Sequence, residues 1–425
     1  MFDKHDTEVL VVGAGPAGLL AALRLAERDV EVTLIDSQER PAARSYALAL
    51  HPASLQLLAE VGLAEELVAR GHRVDKVAFY DSRERRAEIS FGELPGDFPF
   101  VLVLPQEELE AALVARLGRR GVHVRWNWRL ARLEPGGKRA RAMIETLAKD
   151  SIGYPIATTG WVVTKAFDLN AGFVIGADGY GSTVRRYLDV DFDEVGPRQF
   201  YGIFEIAANG PSRDEMRVVL ADGDDGPTAD VLWPLSQARW RWSFQLSDSW
   251  EFVPQTRTKR RHPIAIGEDA FPYLDESRLN ELIEARAPWF AARIDDVRWS
   301  VGVRFERRLA ARFGHDNAWL AGDAAHLACP IGVQSMNVGL REAAELARVM
   351  AEILRQGASA DLLRAYDHER RAEWRQLQGL DGGPRPLDDA GEWVKANRRR
   401  IPPCVPASGL ELRRLLLQLG LDLAS

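Results

Sequence analysis

The sequence predicts an α/β protein with a nucleotide-binding domain, a second domain built on a mixed β-sheet, and C-terminal helices. A β-branched run, Glu8–Val12, leads into the glycine-rich turn GAGPAG, an apolar-periodic helix and a second strand that ends at Asp36. Short alternating strands rich in aromatic residues follow one another from Phe200 to Phe252, as in an antiparallel sheet. Long amphipathic helices follow from Asn337 onward.

The remaining elements follow from hydrophobic periodicity. Helices are predicted over Leu19–Arg28, Pro52–Val61, Ala64–Arg70, Gln106–Arg120, Asp275–Ala287, Asn337–Gln356, Ala360–Leu377 and Glu411–Gly420. We expect residues 1–190 and 300–378 to form the first domain, discontinuous in sequence, and residues 191–299 to form the second. Strands near residues 73–104 are expected to join the second sheet, and residues 379–425 to form a linker and a helix.

Composition excludes several classes of protein. The 425 residues are 46% hydrophobic and 28% charged, which is typical of a folded globular protein. The formal net charge of −7 argues against a general nucleic-acid-binding role. No apolar run reaches the ~18 residues of a membrane span, and no secretory leader is recognisable. Two cysteines, Cys329 and Cys404, cannot alone ligate a structural zinc, so no metal site is predicted, and a cytoplasmic location is expected.

The glycine-rich turn predicts dinucleotide binding in a Rossmann-like domain. Gly13 permits the tight turn, Gly15 lets the backbone approach a pyrophosphate, and Gly18 lets helix and strand pack closely. The helix N-terminus offers N–H groups to the phosphates, and Asp36 has the spacing expected of a ribose-binding carboxylate. Because the motif occurs once, it leaves two possibilities: an NAD(P)-dependent dehydrogenase, or a flavoprotein with one nucleotide domain.

Two further motifs favour the flavoprotein. The chain reads GADGYGSTVRR around Asp178 and WLAGDAAHLACPIGVQSMNVGLREAAELA around Asp323. Together with GAGPAG, these segments resemble the three fingerprints of the group-A flavin monooxygenases, the single-component aromatic hydroxylases typified by para-hydroxybenzoate hydroxylase. The three motifs occur in order between Gly13 and Ala347 and span most of the chain. The chain resembles the compact members of this group, which lack an additional thioredoxin-like domain.

The resemblance implies FAD as cofactor and NAD(P)H and O2 as co-substrates, with an aromatic or polycyclic small molecule hydroxylated or epoxidised through a flavin C4a-hydroperoxide. It implies that Gly322 and Asp323 approach the ribityl chain and that residues 330–337 wrap the edge of the isoalloxazine ring. Because the cofactor carries the chemistry, no catalytic side chain is predicted. The other implied flavin-site residues, besides the glycines and Asp36, are Ala17, Arg44, Gln106, Asp178, Pro330, Gly332, Ser335, Met336 and Asn337.

The chain departs from the family pattern beside the flavin. Relatives usually read P-x-G-G-x-G-x-N, whereas here Val333 and Ser335 replace two of the glycines. Glu342 replaces the usual aspartate of the following helix. A residue with a Cβ is expected to keep its N–H directed as glycine does only if its φ stays negative. We therefore expect these departures to affect oxygen chemistry more than FAD binding.

The aromatic strands suggest a substrate pocket. Trp240, Trp242 and Phe244 alternate and so share one face of a strand, and Tyr201 and Trp233 come from neighbouring strands. These five residues either line an aromatic-substrate pocket or simply cover the sheet. His326 and Cys329 are interpreted as buried structural residues.

Two other functions remain open at this point. The first is a flavin-dependent halogenase or a reductase on the same fold. Halogenases of this superfamily carry a Trp-x-Trp-x-Ile-Pro motif, but here Trp242 is followed by Ser243 and Phe244. The second is a non-catalytic FAD-binding protein.

Overall fold

A computed structural model describes residues 5–39, 48–152, 158–223, 226–235, 238–246 and 274–423. The α-helices are α1 (Pro16–Ala26), α2 (Pro52–Glu60), α3 (Ala64–Arg70), α4 (Gln106–Arg119), α5 (Thr183–Tyr187), α6 (Glu276–Arg286), α7 (Gln334–Gln356), α8 (Asp361–Leu377), α9 (Glu392–Asn397) and α10 (Gly409–Leu417). Short 3-10 helices lie at Phe91–Glu93, Gly322–Ala324 and Pro402–Cys404. The predicted residue Arg44 lies outside the described residues.

The strands from the first half of the chain are β1 (His5–Val12), β2 (Val32–Asp36), β3 (Ala49–Leu50), β4 (His72–Val74), β5 (Lys76–Tyr80), β6 (Arg85–Ser90), β7 (Val101–Val103), β8 (Arg125–Trp126), β9 (Trp128–Glu134), β10 (Ala140–Ile152), β11 (Thr158–Gly176) and β12 (Phe192–Ala208). The others are β13 (Glu215–Gly223), β14 (Gly226–Pro234), β15 (Arg239–Leu246), β16 (Ile294–Ala310), β17 (Gly314–His315), β18 (Ala318–Leu320), β19 (His326–Leu327), β20 (Arg385–Pro386) and β21 (Leu421–Asp422).

The first sheet has parallel strands at its centre. Its order is β17-β18-β11-β1-β2-β8, and β9 and β10 extend it as an antiparallel meander beside β11. Val9, Leu10 and Val11 of β1 are fully buried, because helices cover the central strands. Strands β1, β11 and β18 are aligned so that Val12, Gly176 and Leu320 end at one edge. The predicted nucleotide turn leaves β1 at that edge.

The second sheet is mixed, in the order β19-β16-β12-β15-β14-β13-β5-β6. Strand β5 runs parallel to β13, whereas its other neighbour, β6, is antiparallel to it. Both β5 and β6 come from the stretch 73–104; β5 lies beside β13, which is distant in sequence, and β6 forms the edge of the sheet. The predicted fold class is therefore confirmed. The division into domains stays a prediction.

The two faces of the second sheet have different coverings. Trp240, Trp242 and Phe244 do share a face, and that face packs against α6, where Trp242 stacks on Phe244 with ring centroids 4.7 Å apart. Tyr201 and Trp233 lie on the opposite face and belong to the main core of the protein. We call this second face the inner face. The prediction of one pocket lined by all five aromatic residues is wrong, because alternation along the strands divides them between two cores.

The segment after α8 is packed rather than extended. Ile401, Val405 and Leu415 are fully buried. The side chain of Gln418 forms two hydrogen bonds of 2.8 Å with the backbone of Ser90 in β6. This region, predicted as a linker and a helix, thus contacts the second sheet. Among the described residues, no helix is long and apolar enough to cross a membrane, and the cytoplasmic location stays a prediction.

Candidate functional site

The glycine-rich turn between β1 and α1 has the geometry that a dinucleotide needs. A Cβ on Gly13, whose φ is +104°, would lie 2.2 Å from the carbonyl oxygen of Ala177, and one on Gly18 would lie 1.9 Å from the carbonyl oxygen of Gly13. No side chain fits at either position. A Cβ on Gly15 would meet no atom within 4 Å, so space is open beside the first turn of α1. A phosphate group at this place would meet the positive end of the helix.

Asp36, at the end of β2, and Gln106, at the start of α4, both interact with Glu110. One carboxylate oxygen of Asp36 accepts the N–H of Ala14 and the other accepts that of Gln38, both at 2.7 Å. A carboxylate has room for further donors, such as ribose hydroxyls. The amide of Gln106 donates to Glu110 at 2.7 Å. Burial raises the pKa of the Glu110 carboxyl, the bond from Gln106 lowers it, and the nearby charge of Asp36 raises it.

Asp178 uses its carboxylate to build a turn. The carboxylate accepts hydrogen bonds from Ser182 Oγ at 2.5 Å and from the backbone N–H groups of Thr183 and Val184 at 2.6 and 3.2 Å. Burial raises the pKa of this carboxyl and the hydrogen bonds lower it. Asp178 therefore orders the loop after β11 and the start of α5. The predicted role of Asp178 in cofactor binding stays a prediction. Asp178 would act on the cofactor indirectly, through the loop that it orders.

The Gly322–Asp323 turn meets α1 and α7 at very short range. A Cβ on Gly339 of α7 would lie 2.9 Å from Cα of Gly322, and one on Gly322 would lie 3.3 Å from Cβ of Ala17. Asp323 is exposed. The surrounding protein nevertheless desolvates its carboxyl group, and this desolvation raises the pKa of that group. His326 lowers that pKa and Glu342 raises it. The turn thus presents a carboxylate beside the nucleotide turn.

Glu342, in α7, is hydrogen-bonded to the Gly322–Asp323 turn. Its Oε2 accepts the N–H of Gly322 and contacts Nε2 of His326, both at 2.8 Å, and its Oε1 accepts the indole N–H of Trp374 at 2.8 Å. Glu342 and His326 are fully buried, and His326 stacks on Trp374 with centroids 3.8 Å apart. The sequence identified Glu342 only as a departure from the family pattern. Its three partners identify it as a structural support of the Gly322–Asp323 turn.

Residues 330–337 comprise the loop before α7 and the first turn of that helix, and we call this segment the flavin-edge loop. Asn337 is 1% exposed. Its amide nitrogen donates hydrogen bonds to the carbonyl oxygens of Ala49 (2.9 Å) and Val333 (2.8 Å). Its amide oxygen accepts a hydrogen bond from the backbone N–H of His51 (2.8 Å). Nε2 of His51 lies 2.8 Å from the carbonyl oxygen of Gly332. Asn337 therefore positions the loop. His51, whose role the sequence did not indicate, does the same.

Val333 has a left-handed backbone, with φ +50° and ψ +37°, directly before α7. A β-branched residue rarely adopts this conformation, which costs about 1–2 kcal/mol. The condition of a negative φ, under which a residue with a Cβ would keep its N–H directed as glycine does, is therefore not met at Val333. Ser335 Oγ is buried and has no hydrogen-bond partner among the described residues. This hydroxyl at the start of α7 is available to a ligand.

These residues fit a flavin dinucleotide. The open space at Gly15, the half-buried carboxylate of Asp36, the accessible carboxylate of Asp323 and the unpartnered hydroxyl of Ser335 supply acceptors and donors along one edge of the first sheet. Met336 is partly buried against the core beside them. Among the described residues, no cluster of His, Cys, Asp and Glu could hold a metal ion.

The inner face of the second sheet approaches the flavin-edge loop at Tyr201. The Tyr201 hydroxyl lies 3.6 Å from Sγ of Cys329, which precedes Pro330. Burial raises the pKa of both side chains. Cys329 and Cys404 are free thiols, with no disulfide between them.

Comparisons with known proteins agree with this geometry. Residues 6–379 match a family described as FAD binding domain. The chain belongs to this family. It is 30% identical over 370 residues to 6-methylpretetramide 4-monooxygenase of Streptomyces rimosus, covering 87% of this chain and 60% of that protein. It is 28% identical over 381 residues to pentachlorophenol 4-monooxygenase of Sphingobium chlorophenolicum, covering 88% and 63%.

A solved structure extends the comparison of folds. The crystal structure of p-nitrophenol 4-monooxygenase from Pseudomonas putida superposes with a TM-score of 0.70 and 21% identity, covering 99% of this chain and 100% of that one. The chain spans about three fifths of the length of the two curated relatives. FAD is therefore the cofactor of this chain, and the resemblance to group-A monooxygenases predicted from the three motifs is confirmed. The residues that bind FAD stay a prediction.

We expect Asp323→Ala to weaken FAD binding by roughly 10- to 150-fold, because a hydrogen bond to a charged group contributes about 1.5–3 kcal/mol. Isothermal titration of the FAD-free protein measures the dissociation constant. Asp193→Ala, at an exposed position on β12, is the control and should bind FAD as the wild type does. Equal affinity of the Asp323→Ala variant and the wild type would show that the carboxylate does not contact FAD.

The left-handed conformation of Val333 predicts an unusual order of stabilities. Val333→Gly should be more stable to urea than Val333→Ala by about 1 kcal/mol, because alanine keeps the cost of positive φ and glycine does not. Val338, fully buried within α7, is the control. There the order should reverse, with alanine more stable than glycine by about 1 kcal/mol. The same order at both positions would contradict the strain assigned to Val333.

His51 predicts a loss of stability in acid. Burial lowers its pKa to about 3, so between pH 6.5 and pH 3 the unfolded chain binds a proton that the folded chain excludes. The free energy of unfolding should therefore fall by about 2 kcal/mol from this group between pH 7 and pH 5. His51→Gln should remove that part of the pH dependence in urea titrations with saturating FAD. His123→Gln, at an exposed position, should leave the wild-type dependence unchanged.

Proposed function

We propose that the protein is an FAD-dependent monooxygenase that uses NAD(P)H and O2 to hydroxylate a phenol or a fused aromatic compound. The observation that carries this proposal is the family match over residues 6–379. Two relatives of the chain are named for the monooxygenation of 6-methylpretetramide and of pentachlorophenol. These names favour hydroxylation over halogenation, reduction or a non-catalytic role. When bound, FAD supplies hydride acceptance and oxygen activation.

The residues of this chain bind and orient the reactants. The glycine-rich turn would hold the pyrophosphate, Asp36 the ribose and Asp323 the ribityl chain. The N-terminus of α7, at Gln334, would place its positive end near the flavin ring and so stabilise negative charge on the reduced cofactor. An aromatic substrate would lie between the flavin-edge loop and the inner face, where the buried Tyr201 and Trp233 exclude water.

A basic pocket is our candidate for the NAD(P)H phosphates. It has a volume of about 290 Å³ and lies beside the Asp178 loop. Its lining residues are Tyr180, Gly181, Arg185, Arg186, Phe192 and Arg308. Arg185 donates hydrogen bonds to the carbonyl oxygens of Ala324 and Tyr180 at 2.6 and 2.8 Å, so its guanidinium group has a structural role. Arg186 is exposed, and its one described bond is to the hydroxyl of Thr183, so its charge is available to a phosphate.

The test is consumption of NADH and NADPH by the FAD-loaded protein in the presence of a panel of phenols, nitrophenols and polycyclic aromatic compounds. We expect at least one compound to accelerate oxidation of NAD(P)H and to yield a product heavier by one oxygen atom in mass spectrometry. Labelling with 18O2 should place the heavy isotope in that product. Stimulated oxidation that yields only hydrogen peroxide, or a chlorinated product in the presence of chloride, would contradict the proposal.

The role of the basic pocket has its own measurement. Arg186→Ala should raise KM for NAD(P)H by roughly tenfold and leave the FAD dissociation constant unchanged, because a charge-assisted hydrogen bond contributes about 1.5–3 kcal/mol, partly screened at the surface. Arg293→Ala removes another exposed arginine and is the control. Unchanged KM in the Arg186→Ala variant would place the dinucleotide elsewhere.

A further inference from the structure

The C-terminal strap, which we define as residues 400–408, lies against the flavin-edge loop. The side-chain nitrogen of Gln334 lies 3.2, 3.3 and 3.4 Å from the carbonyl oxygens of Pro402, Val405 and Ala407. Because carbonyl oxygens only accept hydrogen bonds, the nitrogen of the amide must face the strap. Gln334 is 2% exposed, so water cannot replace these bonds without opening the contact.

The two segments also touch through their backbones. A Cβ on Gly332 would lie 2.6 Å from the carbonyl oxygen of Pro403 and 3.0 Å from that of Val405. No side-chain rotation could relieve such a collision, because both obstacles are backbone atoms. A side chain therefore does not fit at Gly332, and a shift of the flavin-edge loop away from the strap breaks the bonds of Gln334.

The strap is fastened at both ends to other parts of the fold. Near its end, Arg341 of α7 donates to Ser408 Oγ at 2.7 Å. At its start, Arg400 donates to the carbonyl oxygens of Ala221 and Thr228, at 2.9 and 2.6 Å, in the β13–β14 hairpin. The strap thus joins the flavin-edge loop to the second sheet.

We propose that Gln334 is a positioning residue that couples the flavin-edge loop to the C-terminal strap, so that FAD binding and docking of the strap stabilise each other. The proposal concerns FAD binding and does not depend on the monooxygenase reaction. The left-handed Val333 supplies the reason why the loop needs support. A strained backbone persists only where its surroundings impose it, and the strap provides one such surface.

The coupling is reciprocal. If the docked strap favours the loop conformation that binds FAD, then FAD must favour the docked strap by the same factor. Without FAD, the strained loop and the strap should open together more often. This coupled opening distinguishes a positioning role for Gln334 from a contribution to overall stability, which would change the exchange of all segments alike.

The experiment is hydrogen–deuterium exchange with mass spectrometry on the full chain, with and without saturating FAD. In the wild type, FAD should slow exchange of peptides covering residues 400–408 by roughly tenfold, within the usual range of coupling between sites. Gln334→Met keeps the length of the side chain and removes its hydrogen bonds. In this variant FAD should still protect the glycine-rich turn, but its effect on the strap should vanish, and the FAD dissociation constant should rise by a similar factor.

Gln418→Met is the matched control. Gln418 also ties the C-terminal region to the rest of the fold, through Ser90 of β6, and neither of its two described side-chain hydrogen bonds is to the flavin-edge loop. This variant should keep the FAD-dependent protection of the strap. Should Gln334→Met fail to fold, Ser408→Ala removes the neighbouring bond to Arg341 and should reduce the protection by roughly threefold.

Two results would overturn the proposal. One is a wild-type strap whose exchange is the same with and without FAD. The other is a Gln334→Met strap that FAD protects as strongly as it protects the wild type, or, if that variant cannot be obtained, undiminished protection in Ser408→Ala.

Discussion

The flavin site depends on the close approach of three backbones at one edge of the first sheet. The turn after β18 and the helix α7 meet at Gly322 and Gly339, where a Cβ on the latter would lie 2.9 Å from Cα of the former. Helix α1 meets the same turn through Ala17. Because no side chain larger than the methyl group of Ala17 separates these segments, the glycine-rich turn, the Asp323 carboxylate and the start of α7 have fixed relative positions. The second sheet and the strap are built around that fixed centre.

Buried polar side chains keep the centre in place. Glu342, Asn337 and Gln334 are each 2% exposed or less, and each bonds to backbone groups of a segment distant in sequence. In a poorly solvated interior such bonds are strong, and an unmade one is costly. The arrangement therefore specifies one conformation of the turn and of the loop.

The sequence predicted those parts of the site whose roles depend on local backbone geometry. The glycine-rich turn, Asp36 and the order of strand, turn and helix follow from residues close together in the chain. The role of Glu342 did not, because its partners lie 20, 16 and 32 residues away. Gln334 bonds to residues 68 to 73 positions later, and the backbone of His51 is held by Asn337, 286 positions later. The alternation of residues along β15 predicted that Trp240 shares a face of the sheet with Trp242 and Phe244. It did not predict that α6 covers this face.

The two-sided second sheet divides its aromatic residues into separate targets for protein engineering. Three aromatic residues are buried beneath α6: Trp240, Trp242 and Phe244. Most substitutions at these positions would therefore destabilise the fold. Tyr201 and Trp233 belong to the face that approaches the flavin-edge loop, and changes there would alter the shape of the adjoining space. Under the proposed function, a search for altered substrate range is best concentrated on the inner face, with the residues packed under α6 left unchanged.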